Sequence, residues 1–353
     1  MNIVFVNSTR KWGGVKTWTV DYATELAARG HDVRVFGRQT ELIDTLRAAG
    51  INARQVNFGF DYNPLAIGRF VAAFLRSSPD VVIGNIGKDI NTAGVAAAML
   101  GIPIIQRVGL PGDMVSSARL RILHSITRPW MLCPSKTVAD GVWKRLPHIP
   151  ADKVRIILNA KKPVDSIRPV GDGPLRLVST SQINQDKRHV DVLDALTAMQ
   201  TDSFHYDIVG TGKLLDELRE KYRALEERGV LAWHGFSTNV LAHLSEADVF
   251  LLPSENEGMP NSLLEAMAAG LIPVARDIGG IGEIWPDALA DYLLPADAGP
   301  DQFSMVLKRL LTMDKAHLNT LKEASVQACR DTFNLNTKID EFETWVQTDI
   351  LKG

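Results

Sequence analysis

The sequence predicts two α/β bodies, each a doubly wound parallel sheet with helices on both faces. Short Val- and Ile-rich runs recur without polar alternation, as in strands buried on both sides. Helical stretches separate them, which is the βαβ alternation that builds parallel sheets. The alternation pauses once, over residues 161–174 (KKPVDSIRPVGDGP), where three prolines and two glycines break all periodicity, and then it restarts. A length of 353 residues fits two domains at roughly 100–200 residues each.

The elements follow in order. Asn2–Asn7 reads as a strand, and Lys16–Arg29 as a helix closed by Gly30. Asp32–Gly37 is the next strand, and Thr40–Ala49 a helix stopped by Gly50. Val81–Asn85, Pro103–Val108 and Trp130–Cys133 are further strands. The longest uncharged run, Ile90–Gln106, is short for a membrane span and is broken by Gly94, Gly101 and Pro103, so it reads as a buried helix, a turn and a strand. After the pause come strand Leu175–Ser181, a helix ending at Met199, strand His205–Gly210 and helix Leu214–Arg228. Strands Val230–Gly235 and Asp248–Pro253, a helix to Ala269 and strand Pro273–Asp277 complete the second body. Beyond Pro295 the chain is expected to be helical to its end, the last helix spanning about 337–350 with Ile339, Phe342, Trp345, Val346 and Ile350 as its apolar stripe. The domains are therefore 1–165 and 170–335. Ligands of open α/β sheets bind beyond the carboxyl ends of the strands, which for two facing sheets puts the expected site in an interdomain cleft.

Composition excludes several classes. With 45% hydrophobic and 23% charged residues the chain is neither disordered nor collagen-like nor a coiled coil. A net charge of −2 argues against a general nucleic-acid binder. That value hides an asymmetry: residues 1–165 carry 22 basic and 12 acidic side chains, net +10, and the remainder 17 and 29, net −12. A basic front and an acidic back imply two bodies with different partners. Cys133 and Cys329 read as reduced, buried thiols, which suits a cytosolic protein. The N-terminus runs straight into a strand and lacks a signal-peptide layout.

Two motifs carry chemistry. Gly13 and Gly14, between the first strand and first helix, let backbone amides approach an anion, or simply make a tight turn. They do not form a G-x-G-x-x-G fingerprint, and Phe36-Gly37-Arg38 after the second strand supplies no acidic residue, which argues against a dinucleotide oxidoreductase. The more specific motif lies within residues 248–285, DVFLLPSENEGMPNSLLEAMAAGLIPVARDIGGIGEIW, where Glu257 and Glu265 stand eight apart. Glu257 falls on the loop after a strand. Pro260 fits the first turn of the next helix, Gly270 ends it, and Glu265 sits in its second turn. The amides of Asn261, Ser262 and Leu263 can face an anion at the helix start.

This stretch resembles the E-x(7)-E region of the retaining, nucleotide-sugar-dependent glycosyltransferases of family 4, which have the GT-B fold. Further segments are similar in order: the Gly13-Gly14-Val15 loop, Pro134-Ser135-Lys136, Val154–Asn159, Val209-Gly210-Thr211-Gly212 and Trp233-His234-Gly235-Phe236. The resemblance implies that Glu265 accepts hydrogen bonds from the ribose diol, since a carboxylate has two acceptor oxygens for two hydroxyls. It implies that Glu257 holds the donor sugar, that Gly258, Met259, Pro260 and Asn261 line the sugar pocket, that Ser262 and Leu263 offer amides to the phosphates, and that Gly235 and Phe236 border the base. It also implies that the last helix, about 337–353, crosses back to the first domain.

Two positions depart from the family pattern. Lys187 matches a lysine that reaches the donor pyrophosphate, but the arginine five residues earlier is replaced by Gln182, which brings no charge. The adjacent Arg188 is a candidate substitute. After the strand at Ile104–Val108 the family often has a histidine, whereas this sequence reads Gln106-Arg107-Val108-Gly109-Leu110-Pro111-Gly112-Asp113. Arg107 is a candidate for a phosphate or an anionic acceptor, and Asp113 for an acceptor hydroxyl; both are equally at home as loop residues.

No D-x-D is present, and the eight histidines never cluster with cysteine at metal-ligand spacing, so neither a metal nor another cofactor is expected. The implied function is a retaining, metal-independent transfer of a hexose-type sugar from a nucleotide-diphosphate sugar, with a UDP-sugar the commonest donor. The acceptor would be a glycan or glycolipid of bacterial envelope polysaccharide or lipopolysaccharide synthesis. Catalytic roles fall to Glu257, Lys187 and Arg107. The expected location is cytoplasmic, with peripheral contact to the inner face of the membrane through the basic first domain and no nucleic-acid partner. Two other readings fit the same fold: a nucleotide-sugar epimerase or hydrolase, and a non-catalytic nucleotide-sugar-binding protein.

Overall fold

In a computed structural model describing residues 1–352, the chain divides into two compact units, Met1–Asn159 with the segment from Leu335 onward, and Ala160–Asn334. The first runs β1 (Asn2–Asn7), α1 (Gly14–Ala28), β2 (Asp32–Gly37), α2 (Thr40–Ala48), β3 (Asn52–Gln55), α3 (Pro64–Ser77) and β4 (Val81–Gly84). It continues through α4 (Gly87–Asp89), α5 (Val95–Met99), β5 (Ile104–Arg107), α6 (Ala118–Thr127), β6 (Trp130–Cys133), α7 (Lys136–Arg145) and β7 (Val154–Ile156). Its seven strands are all parallel, in the order β3-β2-β1-β4-β5-β6-β7.

The second unit comprises β8 (Leu175–Thr180), α8 (His189–Met199), β9 (Phe204–Val209), α9 (Leu215–Lys221), α10 (Arg223–Glu227), β10 (Leu231–Gly235) and α11 (Val240–Ser245). It ends with β11 (Val249–Leu252), α12 (Asn261–Ala268), β12 (Ile272–Arg276), β13 (Leu293–Leu294), α13 (Pro300–Thr312) and α14 (Lys315–Thr332). Its six parallel strands are ordered β10-β9-β8-β11-β12-β13. A last helix, α15 (Leu335–Trp345), belongs to the first unit: Phe342 meets Tyr22 edge-on, Trp345 meets Trp130, and Glu343 pairs with Arg29 and His31. Both cysteines are buried free thiols, which burial pushes up to about 12.

The central strands are buried along their length except for Asn2 at the start of β1, as their apolar runs require. Three strands are weaker in sequence. β3 (NARQ) buries only Ala53 and lies at an edge, and β7 and β13 are three and two residues long. The helix expected over Leu214–Arg228 is two helices, because Tyr222 turns inward and its hydroxyl donates to Asp194 at 2.6 Å. Pro260 stands just before α12 rather than in its first turn.

The Pro- and Gly-rich stretch 161–174 belongs to the second unit. The Lys161 amide donates to Phe333 O at 3.1 Å, the Val164 amide to Ala268 O at 2.9 Å and the Val170 amide to Asn319 Oδ1 at 2.9 Å. Bonds at these intervals replace the regular ladder that the prolines forbid. Among the described residues, no helix is long and apolar enough to cross a membrane.

Candidate active site

The order of the second sheet reverses between β8 and β11, where the chain leaves one strand for each flank. Loops diverge at such a switch point and open a crevice beyond the carboxyl ends of the strands. Residues 181–188 and 253–260 are the two loops that leave it.

The first loop is held by a glycine-bearing turn. Gly210 has φ +151°, and a Cβ on it would lie 1.9 Å from Ser181 O; one on Gly212 would lie 2.1 Å from Ile183 O. With glycine at both positions the two backbones touch, and the Ser181 and Ile183 amides bond Val209 O and Thr211 O at 3.2 and 3.0 Å. The loop then makes a tight turn over Gln185–Lys187 and presents Lys187.

The second loop carries Glu257. Its carboxylate accepts from Lys187 Nζ at 2.6 Å, with the two side chains only 13% and 19% exposed. The Glu255 amide donates to Asp186 O at 2.9 Å, so the loops are stitched through backbone as well. A third loop closes on the second: Gly279 has φ +58° and no room for a Cβ, which would lie 2.0 Å from Glu257 O. The Gly280 amide bonds Gly258 O at 2.6 Å. Gly258, Met259 and Pro260 are buried and lead directly into α12, which has neither a side-chain cap nor an acidic residue in its first turn. Asn261 and Ser262 are half-buried there, and Leu263 is buried. The positive end of that helix thus follows directly on the loop that carries Glu257 and its pair with Lys187.

Glu265, one turn further along α12, accepts from Lys161 Nζ at 2.8 Å. Gln182 lies on the first loop, its Oε1 accepting from Asn184 Nδ2 at 2.9 Å. Arg188 does not supply the missing charge. Its guanidinium bonds Asp191 at 2.8 and 3.0 Å and Glu255 at 3.1 Å, joining a buried network in which Arg276 meets the same Asp191 at 2.5 Å. His189 lies behind the loop, bonded to Ser181 Oγ at 2.9 Å, and burial holds it down to about 4, so it is neutral. Gly235 ends β10 at φ +66°, and Phe236 beside it exposes 52% of its surface.

In the first unit, Gly13 and Gly14 open α1, with open space where a Gly13 Cβ would stand. Arg107 turns inward: it is 5% exposed, stacks 4.8 Å over the Trp18 ring and donates to Asn159 Oδ1 at 3.1 Å. Burial lowers its guanidinium to about 10. The Asp113 carboxylate is occupied by its own loop, accepting from the Gly109 and Leu110 amides at 2.9 and 2.7 Å.

Two lysines escaped the sequence reading. Lys161 fell inside a segment read as linker. Lys16 is fully buried with no hydrogen-bond partner for its ammonium among the described residues; burial drives that ammonium below its usual range, and it lies 5.6 Å from the Trp12 ring. The spacing of Lys16, Thr19, Ala23 and Leu26, all buried on one stripe of α1, was the signal that a lysine stood on an inward face.

Residues 12–160 match the family model described as Glycosyltransferase Family 4, and residues 174–313 the model described as Glycosyl transferases group 1. The chain is 28% identical over 206 residues to the amylovoran biosynthesis glycosyltransferase AmsK of Erwinia amylovora, covering 55% of this chain and 48% of that protein. It is 31% identical over 140 residues to an Escherichia coli UDP-Gal:alpha-D-GlcNAc-diphosphoundecaprenol alpha-1,3-galactosyltransferase, covering 38% and 35%. These matches span half or less of each relative. Among solved structures, Anabaena Alr3699/HepE in complex with UDP superposes with a TM-score of 0.80 at 15% identity, over 99% of this chain and 100% of that one.

Proposed function

We propose, from the premise that this chain is a GT-B glycosyltransferase whose two halves belong to the family 4 and group 1 domain families, that it moves a hexose-type sugar from a nucleotide-diphosphate sugar to a glycan or glycolipid of envelope polysaccharide or lipopolysaccharide synthesis. The observation that carries this reading is the Lys187–Glu257 pair at the β8/β11 switch point, on the loop that leads into α12.

The pair joins two groups whose substrate partners differ. A diphosphate competes for the Lys187 ammonium, and a sugar hydroxyl donates to the Glu257 carboxylate. Donor binding exchanges one ion pair for two charge-assisted contacts, so neither half-buried charge is left alone. In the transfer step the anomeric C–O bond breaks and its electron pair leaves on the diphosphate. Lys187 and the first-turn amides of α12 stabilise the charge that accumulates there. The acceptor oxygen bonds the same anomeric carbon from the face the diphosphate leaves, so configuration is retained, and its proton passes to the departing phosphate. No step in this scheme calls on a metal. Glu265 holds the ribose, and the exposed Phe236 ring borders the base. UDP is the proposed nucleotide, supported by the UDP held in the Anabaena structure and the UDP-sugar named for the Escherichia coli relative.

A lipid-linked acceptor is supported by that relative's diphosphoundecaprenol-linked substrate. It fits the surface of α6, where Ile122 and Ile126 stand one turn apart and more than half exposed, with Arg119, Arg121 and Arg128 exposed around them. A helix that shows apolar and basic side chains to solvent together suits an anionic membrane interface. The proposal is therefore a cytoplasmic enzyme held at the inner face of the membrane.

The test is a nucleotide-sugar panel assayed with lipid-linked and free glycan acceptors. Transfer that depends on Glu257 and Lys187 supports the reading. Donor hydrolysis without acceptor would point to a hydrolase, and donor binding with no turnover across the whole panel would point to a binding protein.

A further inference from the structure

The geometry points to Lys161 as a positioning residue for nucleotide recognition: it orients the Glu265 carboxylate so that a ribose diol meets a carboxylate already in place. This rests on the reading that Glu265 holds the ribose.

Lys161 is the second residue of the second unit, and its backbone is fixed at both amide and carbonyl. Its amide donates to Phe333 O at 3.1 Å, its carbonyl accepts from Cys329 Sγ at 3.4 Å, and it forms an isolated parallel bridge with Asn334. Three residues on, the Val164 amide bonds Ala268 O at 2.9 Å. The segment that carries Lys161 is thus tied to the end of α12, one turn beyond Glu265. A flexible lysine is thereby rooted on a rigid backbone next to the carboxylate it serves.

Lys161 Nζ engages Glu265 Oε1 at 2.8 Å, with side chains 10% and 25% exposed. A glutamate side chain free to turn would lose rotamer entropy on binding. Holding it beforehand removes that loss from the binding step, which is preorganisation. The neighbouring ammonium also offsets a carboxylate that stands on the same short helix whose start faces the diphosphate. An ion pair kept only for stability would not distinguish one nucleotide from another. A positioning pair does, because its effect exists only when the ligand carries the hydroxyls that Glu265 reads.

Calorimetric titration tests this with whichever of UDP, GDP and ADP binds the wild-type protein saturably, and with its 2′,3′-dideoxy form. Lys161→Met is expected to raise the ribonucleotide Kd about tenfold, and the donor KM with it, with kcat changed less than about twofold. Lys161→Arg, which keeps a cation beside Glu265, should recover most of the affinity. The dideoxy form should bind wild type and Lys161→Met alike, and Lys161→Met should add nothing in a Glu265→Ala background. Unchanged ribonucleotide affinity in Lys161→Met overturns the proposal. So does equal weakening of both forms, or a further loss in the Glu265→Ala background. Thermal unfolding of each variant shows that it is folded. The parent reading fails separately: Glu265→Ala binding as wild type, or no saturable binding of any of the three nucleotides, removes the ribose site itself.

Discussion

At the scale of single residues, the second unit sets two lysines against two glutamates. Lys187 and Glu257 lie 2.6 Å apart, and Lys161 and Glu265 2.8 Å apart. Removing one member strands the other half-buried, so activity is expected to fall further than stability. Glu257→Ala should lower kcat/KM by about 10²-fold or more, the scale of losing a group that acts on the transition state. Its unfolding midpoint should stay within a few degrees of wild type, read by steady-state assay beside differential scanning calorimetry. Lys187→Met should raise the donor KM and leave the acceptor KM unchanged. Gly279→Ala makes a different prediction. Its Cβ would press on Glu257 O and its φ is +58°, so the loop must move. A cost of about 1–3 kcal/mol is expected by denaturant titration, together with loss of activity although no charged group has changed.

At the scale of elements, helix α6 and the turn that follows α7 share a histidine pair, His124 buried and His148 half-buried. His124 Nδ1 and His148 Nε2 lie 3.0 Å apart, and burial together with the neighbouring ring holds His124 down to about 4. His189 at the start of α8 is held to about 4 as well, by burial. The unfolded chain takes up these protons near pH 6.5, and the folded one only near 4. Between those values the unfolded state binds more protons, so stability falls as pH drops from about 6.5 toward 4 and is fully present above that window. Thermal midpoints measured from pH 7.5 to 4.5 should decline through it. A His124→Gln variant should show a shallower decline, since the first unit then has one buried proton acceptor fewer.

For the molecule as a whole, net charge is divided between its two halves, with the excess of arginine and lysine in residues 1–165. Within that half α6 shows Ile122 and Ile126 to solvent among three arginines. Reversing the charge of Arg119, Arg121, Arg128, Lys144 and Arg145 should abolish co-sedimentation with anionic vesicles. It should also lower activity on a lipid-linked acceptor while sparing a soluble one. Replacing Ile122 and Ile126 by serine should weaken vesicle binding less, and in a salt-independent way, because the apolar contribution is not screened. Equal activity of all variants on both acceptors would remove the membrane surface from the proposal.

The sequence by itself determined the α/β fold of both units and singled out the loop that carries Glu257. Buried parallel strands need continuous apolar runs, and those runs placed β1, β2, β6 and the second-unit core to within a residue or two. The glutamates of residues 248–285 were legible because their spacing repeats a known pattern. Edge strands β3, β7 and β13 were not, since an edge buries little and its sequence need not be apolar. Only the tertiary structure decided which charges meet. It brought Lys187 to Glu257 across 70 residues and Lys161 to Glu265 across 104, and it turned Arg188 away to Asp191 and Glu255. Such pairings depend on strand order and loop closure, which glycines at 210, 212 and 279 permit by leaving room for backbone where any side chain would stand. Periodicity reports what each element buries, whereas a contact between loops is fixed only when the sheet sets them side by side.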